Sequence, residues 1–114
     1  MESIVVSGDE NRMNACFQYL QDVASEKFEV AFLTVRNAVT PTALLQVREK
    51  NSSCPQSSCA TIKMSIVAEG IKIESYKGDW FDCDNAQAGL LDMFKIPKLC
   101  KSLFMEAISF YTRK

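Results

Sequence analysis

The stretch from Lys98 to Lys114 has the clearest helical periodicity in the chain, and it limits what the other residues can form. At roughly 100° per residue, apolar and polar side chains separate onto two sides of a helix, and Met105 is the one apolar residue on the polar side. A helix with so wide and aromatic an apolar face must bury it against a large surface. We therefore expect this helix to lie on a sheet of its own chain, on a partner, or on both. The apolar side consists of Leu99, Cys100, Leu103, Phe104, Ala107, Ile108, Phe110 and Tyr111.

The composition is that of a globular protein rather than a disordered one. Of the 114 residues, 47% are hydrophobic and 24% are charged, which is ordinary for a folded domain. This length supports one hydrophobic core, so we expect residues 1–114 to form a single α+β domain. The formal net charge of -1 argues against binding to duplex nucleic acid, because that affinity depends on a basic surface.

No membrane partner is expected from the sequence. The N-terminus lacks the basic region and the apolar run of a signal peptide, and no segment approaches the roughly 20 apolar residues of a membrane span. We therefore expect an intracellular location, cytoplasmic or nuclear.

The five cysteines have irregular spacing and do not form the even set of a secreted disulfide framework. Cys54 and Cys59 share a polar loop and could close a small ring under oxidation, although free thiols are expected in this compartment. Cys16 and Cys100 lie among apolar neighbours and are expected to be small buried hydrophobes.

The first half of the chain predicts a strand, a helix and a second strand. Ser3 to Val6 is a short β-branched run. The helix follows and runs to about Glu26, and Ser7 has capping-box spacing to Glu10 at its start. Phe28 to Arg36 is the strongest strand, and because both of its faces are largely apolar we expect it in a central position or covered by helices on both sides.

The second half predicts more strands and then helices. Ala43 to Arg48 is ambiguous between strand and helix, and its alternation favours a strand. Ile62 to Val67 and Ile71 to Glu74 form a hairpin around a turn at Glu69-Gly70. A turn at Lys77 to Asp79 and a short strand at Trp80-Phe81 follow. Asp84 or Asn85 then begins a helix, which Pro97 is expected to break before the terminal helix begins.

These elements predict an α+β two-layer sandwich. Its sheet is an antiparallel β-meander of four to five strands, and the N-terminal helix and a C-terminal helix pair pack on one face, in the order β-α-β-β-β-β-α-α.

The residue types present exclude several chemistries. Without histidine the chain has no Ser-His or Cys-His nucleophile pair and no His-Glu-x-x-His metal helix. It also lacks the glycine-rich phosphate-binding motifs. The acidic cluster from Asp79 to Asn85 fails the calcium-loop pattern, because Gln87 and Met93 stand where that loop requires glycine and glutamate. We therefore predict no catalytic residue, no cofactor and no metal.

Two parts of the sequence resemble known families. The residues Gly70 to Ile73, Gln87 to Leu90 and Phe94 to Ile96 resemble a strand-strand-helix segment of checkpoint sliding-clamp subunits. The order of helix, strands and helix is similar to that of the small Alu-domain proteins of the signal recognition particle, which are basic whereas this chain is not. Neither resemblance includes a diagnostic motif, so no site residue is carried over from either.

The leading functional hypothesis is a non-enzymatic protein–protein interaction module, such as a subunit, adaptor or modulator of a larger assembly. It would bind a protein partner, either a second copy or a different protein, through the apolar C-terminal helix, and the predicted contact residues are Trp80, Phe104, Ile108 and Tyr111. An alternative is a nucleic-acid-associated module that uses the C-terminal lysines Lys95, Lys98, Lys101 and Lys114 together with Arg113. A third hypothesis is a thiol enzyme that uses Cys83, or Cys54 and Cys59.

Overall fold

A computed structural model describes residues 2–35, 39–49, 58–81 and 92–112 of the chain, and of residues 92–95 it describes the backbone alone. These residues form five strands and two helices. In chain order the elements are β1 (Glu2–Val6), α1 (Glu10–Ser25), β2 (Phe28–Thr34), β3 (Thr42–Glu49), β4 (Ser58–Val67), β5 (Gly70–Asp79) and α2 (Asp92–Thr112).

The five strands form one antiparallel sheet in the order β1-β5-β4-β3-β2. β2 to β5 are a meander in which each strand pairs with the next, and β1 adds to the far side of β5. The chain therefore crosses the full width of the sheet between β1 and β2, and α1 makes this crossing. This confirms the predicted α+β fold with an antiparallel sheet and two layers.

Both helices pack on the same face of the sheet, which we call the helix face. α1 packs on β2 and β3, whereas α2 packs on β4, β5 and β1 and also contacts α1. Strand residues alternate between faces, and the helix-face positions in the middle of the three inner strands are mostly apolar and buried. The centre of this core consists of Phe17, Leu20, Leu45, Val47, Ile62, Met64, Ile71 and Ile73.

Two local predictions are confirmed with changes at their ends. The ambiguous segment is the strand β3, because its alternate residues Leu45 and Val47 fill the core. The first helix is where the periodicity predicts it, but Asp9 is its N-cap rather than Ser7, and the Asp9 carboxylate accepts a 3.0 Å hydrogen bond from the Arg12 backbone N–H.

The predicted break at Pro97 is wrong, since α2 continues through this residue. Proline removes one backbone donor and crowds the preceding turn, so α2 lacks one backbone hydrogen bond at Pro97. Burial of Ile96 and Cys100 against the sheet holds the helix on both sides of Pro97. The described residues thus contain one C-terminal helix instead of a pair, and the start predicted at Asp84 or Asn85 lies outside them.

Other corrections concern the strands. β5 runs without interruption to Asp79, so the turn predicted from Lys77 is absent, and neither Trp80 nor Phe81 lies in a strand. Cys59 belongs to β4 rather than to a loop, whereas Cys54 lies outside the described residues.

β2 carries the largest correction. The sequence predicts a central position for it or helices on both sides, but it is an edge strand with α1 on one face.

Candidate functional site

The free edge of β2 is the longest stretch of unpaired backbone among the described strands. The Val35 N–H donates to the carbonyl of Thr42 at 3.0 Å, and these residues lie opposite one another in the β2–β3 register. Hydrogen-bonded pairs alternate along an antiparallel ladder, so every second residue back from Val35 also points its backbone groups at β3. The residues between them point theirs outward, away from the sheet: Phe28, Val30, Phe32 and Thr34.

The other edge of the sheet is shorter. β1 has five residues. The β4–β5 hairpin closes with the hydrogen-bonded pair of Val67 and Gly70, and the same alternation can be followed from this pair across β5 to β1. It leaves only Ser3 and Val5 with outward backbone groups. β2 therefore offers twice as many outward residues as β1 does.

Side chains beside the β2 edge are apolar on both faces. On the helix face, the Phe32 ring packs edge-on against Phe17 at 5.3 Å between centroids and is still 41% exposed. The opposite face, which we call the open face, carries no helix among the described residues. We define the β2 edge surface as the outward backbone of β2, the Phe32 side chain and the apolar open-face corner made of Ala31, Leu33, Val35 and Leu44.

The open-face positions in the middle of β4 and β5 are polar. By alternation, β4 and β5 place Lys63, Ser65, Lys72 and Glu74 on it, and the Lys72 ammonium lies 3.6 Å from the Glu74 carboxylate. These polar positions separate the apolar corner from the β1 side of the sheet.

Two hydrogen bonds from Gln46 form a clamp on the open face, where β5 ends. The Gln46 side chain is 5% exposed; it donates to the Asp79 carbonyl at 2.8 Å and accepts from the Phe81 backbone N–H at 3.0 Å. The clamp holds the chain after β5 over β3, where the Arg48 guanidinium lies 4.0 Å from the centre of the Trp80 ring. Contact of this kind between a guanidinium and an indole is stabilising.

Arg48 also neutralises the one charge of β2. Its guanidinium donates two hydrogen bonds, at 3.0 and 3.2 Å, to the two carboxylate oxygens of Glu29. Such bidentate pairs are the stronger kind of ion pair. The β2 edge surface therefore has no uncompensated charge among its described residues.

The four predicted contact residues are buried or half-buried within the chain itself. Trp80 and Phe104 are 4% and 6% exposed, and Ile108 and Tyr111 are half-buried. The structure brings the three α2 residues together on one helix face but leaves Trp80 on the opposite side of the sheet. Their contact with a partner stays a prediction.

The aromatic end of α2 contacts both α1 and β4. The Tyr111 hydroxyl lies 3.7 Å from the Met64 sulfur and 3.5 Å from the Arg12 carbonyl, and the Arg12 guanidinium lies 4.9 Å from the centre of the Phe110 ring. Burial raises the pKa of Tyr111 above its usual value. The apolar face of α2, including its aromatic end, therefore packs largely on the sheet and on α1.

The thiols of the described residues are buried and weakly acidic. Burial raises the pKa of Cys16 to about 12 and that of Cys59 to about 11, and it raises the pKa of Cys100 as well. A reactive thiol needs a lowered pKa, so these three cysteines have the opposite chemistry. Cys54 and Cys83, which the thiol-enzyme hypothesis also names, lie outside the described residues.

A cavity lies between β5 and α2. It has a volume of about 250 Å³ and is lined in part by Glu2, Tyr76, Lys77 and Lys101. Ser75 also lines the cavity, and its hydroxyl donates to the Cys100 carbonyl at 2.9 Å. In the described part of the chain, no group of three or more histidine, cysteine or acidic residues could hold a metal ion.

The C-terminal lysine cluster is only partly described. Lys98 and Lys101 are exposed on α2, whereas the Lys95 side chain, Arg113 and Lys114 lie outside the described residues. Binding of nucleic acid by these lysines stays a prediction.

The sequence signal for the β2 edge surface is the apolar pattern of Phe28 to Arg36, which predicts a central position or helices on both sides rather than an edge. None of its residues was among the predicted contact residues. Among the described residues, no helix is both long and apolar enough to cross a membrane. Comparison of the chain with protein-family models, with curated proteins and with solved structures finds no match.

Proposed function

We propose that this protein is a non-enzymatic interaction module that binds another polypeptide through its β2 edge surface. One observation carries the proposal: β2 has apolar side chains on both faces and an outward row of backbone groups, yet no described strand pairs with it. An extended polypeptide can add to such an edge, because main-chain hydrogen bonds supply affinity and the neighbouring side chains supply specificity.

Edge strands of this kind are normally protected against pairing. Natural sheets place lysine, proline, a bulge or an unpaired charge on their edges. The seven residues of β2 contain no lysine, proline or glycine, and the Glu29 carboxylate is held by Arg48. A long, neutral and apolar edge is what a binding strand requires.

The proposal keeps the predicted class of function, a non-enzymatic interaction module, and assigns its contact surface to β2 rather than to α2. The apolar face of α2 packs on the sheet and on α1, and Met105, at 55% exposed, stands alone on the outer side. The proposal includes an intracellular location, cytoplasmic or nuclear, where Cys16, Cys59 and Cys100 would stay reduced, and all three are free thiols here.

Replacement of Thr34 by proline tests the proposal. Thr34 has an exposed side chain and an outward N–H, so Thr34→Pro removes a donor from the free edge and leaves the bonds to β3 intact, as proline on edge strands does. Thr34→Ala is the matched control, since it keeps the N–H.

The readout is capture of proteins from an extract of the source cells by the immobilised chain. We expect the wild-type chain and Thr34→Ala to retain the same bound polypeptides and Thr34→Pro to lose them. Equal capture by all three folded chains, or capture that only α2 substitutions such as Met105→Asp abolish, would show that the β2 edge is not the binding surface.

A further inference from the structure

We infer that the β2 edge surface pairs with the same surface of a second copy of this chain, β2 against β2, with a two-fold axis beside Ala31. The inference rests on the proposed function, because it names the polypeptide that the surface binds. The two sheets would then join into one continuous antiparallel sheet, in which each copy's β2 becomes a central strand.

The apolar pattern of β2 is that of a strand with neighbours on both sides. Val30 and Phe32 face α1, while Ala31 and Leu33 face the opposite way. Strands that are apolar on both faces are typical of sheet interiors. A second β2 supplies the missing neighbour and covers part of Phe32, which is 41% exposed.

Backbone geometry restricts the register of such a pair. Outward residues must meet outward residues for the hydrogen bonds to form. With the axis beside Ala31, Phe28 lies opposite Thr34 and Val30 lies opposite Phe32, so every outward residue of the seven-residue strand has a partner. A shift of the axis by one residue in either direction leaves one end of the strand unpaired.

The side chains of β2 are complementary to themselves in this register. Val30 meets Phe32 twice on the helix face, and aromatic with β-branched cross-strand pairs are favourable. On the open face the small Ala31 side chains meet at the axis. Glu29 lies opposite Leu33 rather than opposite its own copy, so no like charges come together.

This charge arrangement favours a second copy over a partner of strong charge. The Glu29 carboxylate is already bonded twice by Arg48, and the net charge of -1 per chain gives little repulsion between copies. A strand pair of seven residues spans about 23 Å and belongs with the smaller, transient interfaces. The pair is therefore a weak, concentration-dependent dimer.

Disulfide trapping at the axis tests the register. Residues opposite one another without hydrogen bonds have Cα atoms about 4.5 Å apart, which lies within the range for a disulfide. We expect Ala31→Cys, made in a chain that also carries Cys54→Ser and Cys83→Ser, to form a covalent dimer under mild oxidation.

Leu33→Cys in the same background is the matched control. Its Cα atoms would lie about 14 Å apart, because four residues along the strand and the gap between the strands separate them, so this chain alone should remain monomeric. Mixed with Glu29→Cys chains it should form a disulfide, because residues 29 and 33 face one another. Equal trapping of Ala31→Cys and Leu33→Cys alone would overturn the inferred register.

Sedimentation equilibrium over a range of concentrations gives an independent measurement on the unmodified chain. We expect a monomer–dimer equilibrium, which Thr34→Pro should weaken about thirtyfold because two backbone hydrogen bonds of about 1 kcal/mol each are lost per dimer. Thr34→Ala should leave it within about threefold.

The two proposals fail in different ways. A wild-type chain that stays monomeric at all concentrations, with no Ala31→Cys trapping, overturns the inference. If Thr34→Pro still abolishes capture of a different polypeptide from the extract, the proposed function stands with another occupant. A dimer that Thr34→Pro leaves unchanged also overturns the inference, because its contact then lies elsewhere.

Discussion

Replacement of Gln46 by methionine removes the clamp that holds the chain after β5 on the open face. In the folded protein the Gln46 amide donates to the Asp79 carbonyl and accepts from the Phe81 N–H, at 2.8 and 3.0 Å. Methionine has a similar length and volume, so Gln46→Met removes both hydrogen bonds without leaving a cavity. Trp80 lies between the two anchored residues and over Arg48.

The expected loss of stability is about 2 kcal/mol. A neutral intramolecular hydrogen bond contributes about 1 kcal/mol net, and two are removed. A group left buried without a partner would cost more than this, but Asp79 and Phe81 are exposed, so their freed backbone groups can bond to water. The midpoint of urea unfolding should fall by about 1 M, given a slope of about 2 kcal/mol per molar for a small protein.

The assay is urea unfolding followed by the fluorescence of Trp80, the single tryptophan of the chain. Before unfolding, Gln46→Met should also shift the Trp80 emission to longer wavelength, because the indole is released toward water. Gln18→Met is the matched control: Gln18 donates to Asp22 on the exposed side of α1, and its loss should change the unfolding free energy by less than about 0.5 kcal/mol. A Gln46→Met chain with wild-type stability and emission would refute the role assigned to the clamp.

Three further predictions follow from contacts elsewhere in the fold. Gly70→Ala should lower the unfolding free energy by about 2 kcal/mol or more in urea titrations, because Gly70 has φ of 138° and its new Cβ would press on the backbone of β1; wild-type stability would contradict this. Tyr19→Phe removes a 2.6 Å hydrogen bond to the Glu106 carboxylate that joins α1 to α2, and about 1.5 kcal/mol should be lost by the same measurement, whereas no loss would show that the bond is not formed in solution. The unfolding free energy should also fall from pH 9 to about pH 11. Burial raises the pKa of Cys16 to about 12 and of Cys59 to about 11 from an ordinary 9.0, so the unfolded chain binds fewer protons than the folded chain in this window. A flat pH profile, or one unchanged by replacement of both cysteines with alanine, would contradict the assignment.

The sequence predicted the elements whose patterns are local. α1 and the β4–β5 hairpin follow from periodicity and from a glycine at the turn, and the packing of both helices on one face follows from their apolar stripes. Pro97 shows the limit of such rules. A proline predicts a helix break, but burial of Ile96 and Cys100 on the sheet outweighs the loss of a single backbone bond.

The position of Trp80 could not be predicted from local patterns. It depends on Gln46, which lies more than thirty residues earlier in the chain and which alternation alone assigns to a polar face. A buried glutamine that satisfies two backbone groups has no sequence signature, because its partners are defined only once β3 and β5 are in place. For the same reason, the sequence does not show that Trp80 lies apart from the α2 residues Phe104, Ile108 and Tyr111.

The wrong prediction for the position of β2 has a different origin. The pattern of Phe28 to Thr34, apolar on both faces, predicts a central strand, and the meander nevertheless leaves it at an edge. An apolar pattern on both faces indicates that both sides of a strand are shielded from water, and it does not say which chain supplies the shielding. If β2 is paired in the working assembly, the pattern is correct and the isolated chain is incomplete at that edge. Dimerisation through β2 would therefore reconcile the sequence with the fold, and the apolar face of α2 would need no partner beyond the sheet that it already covers.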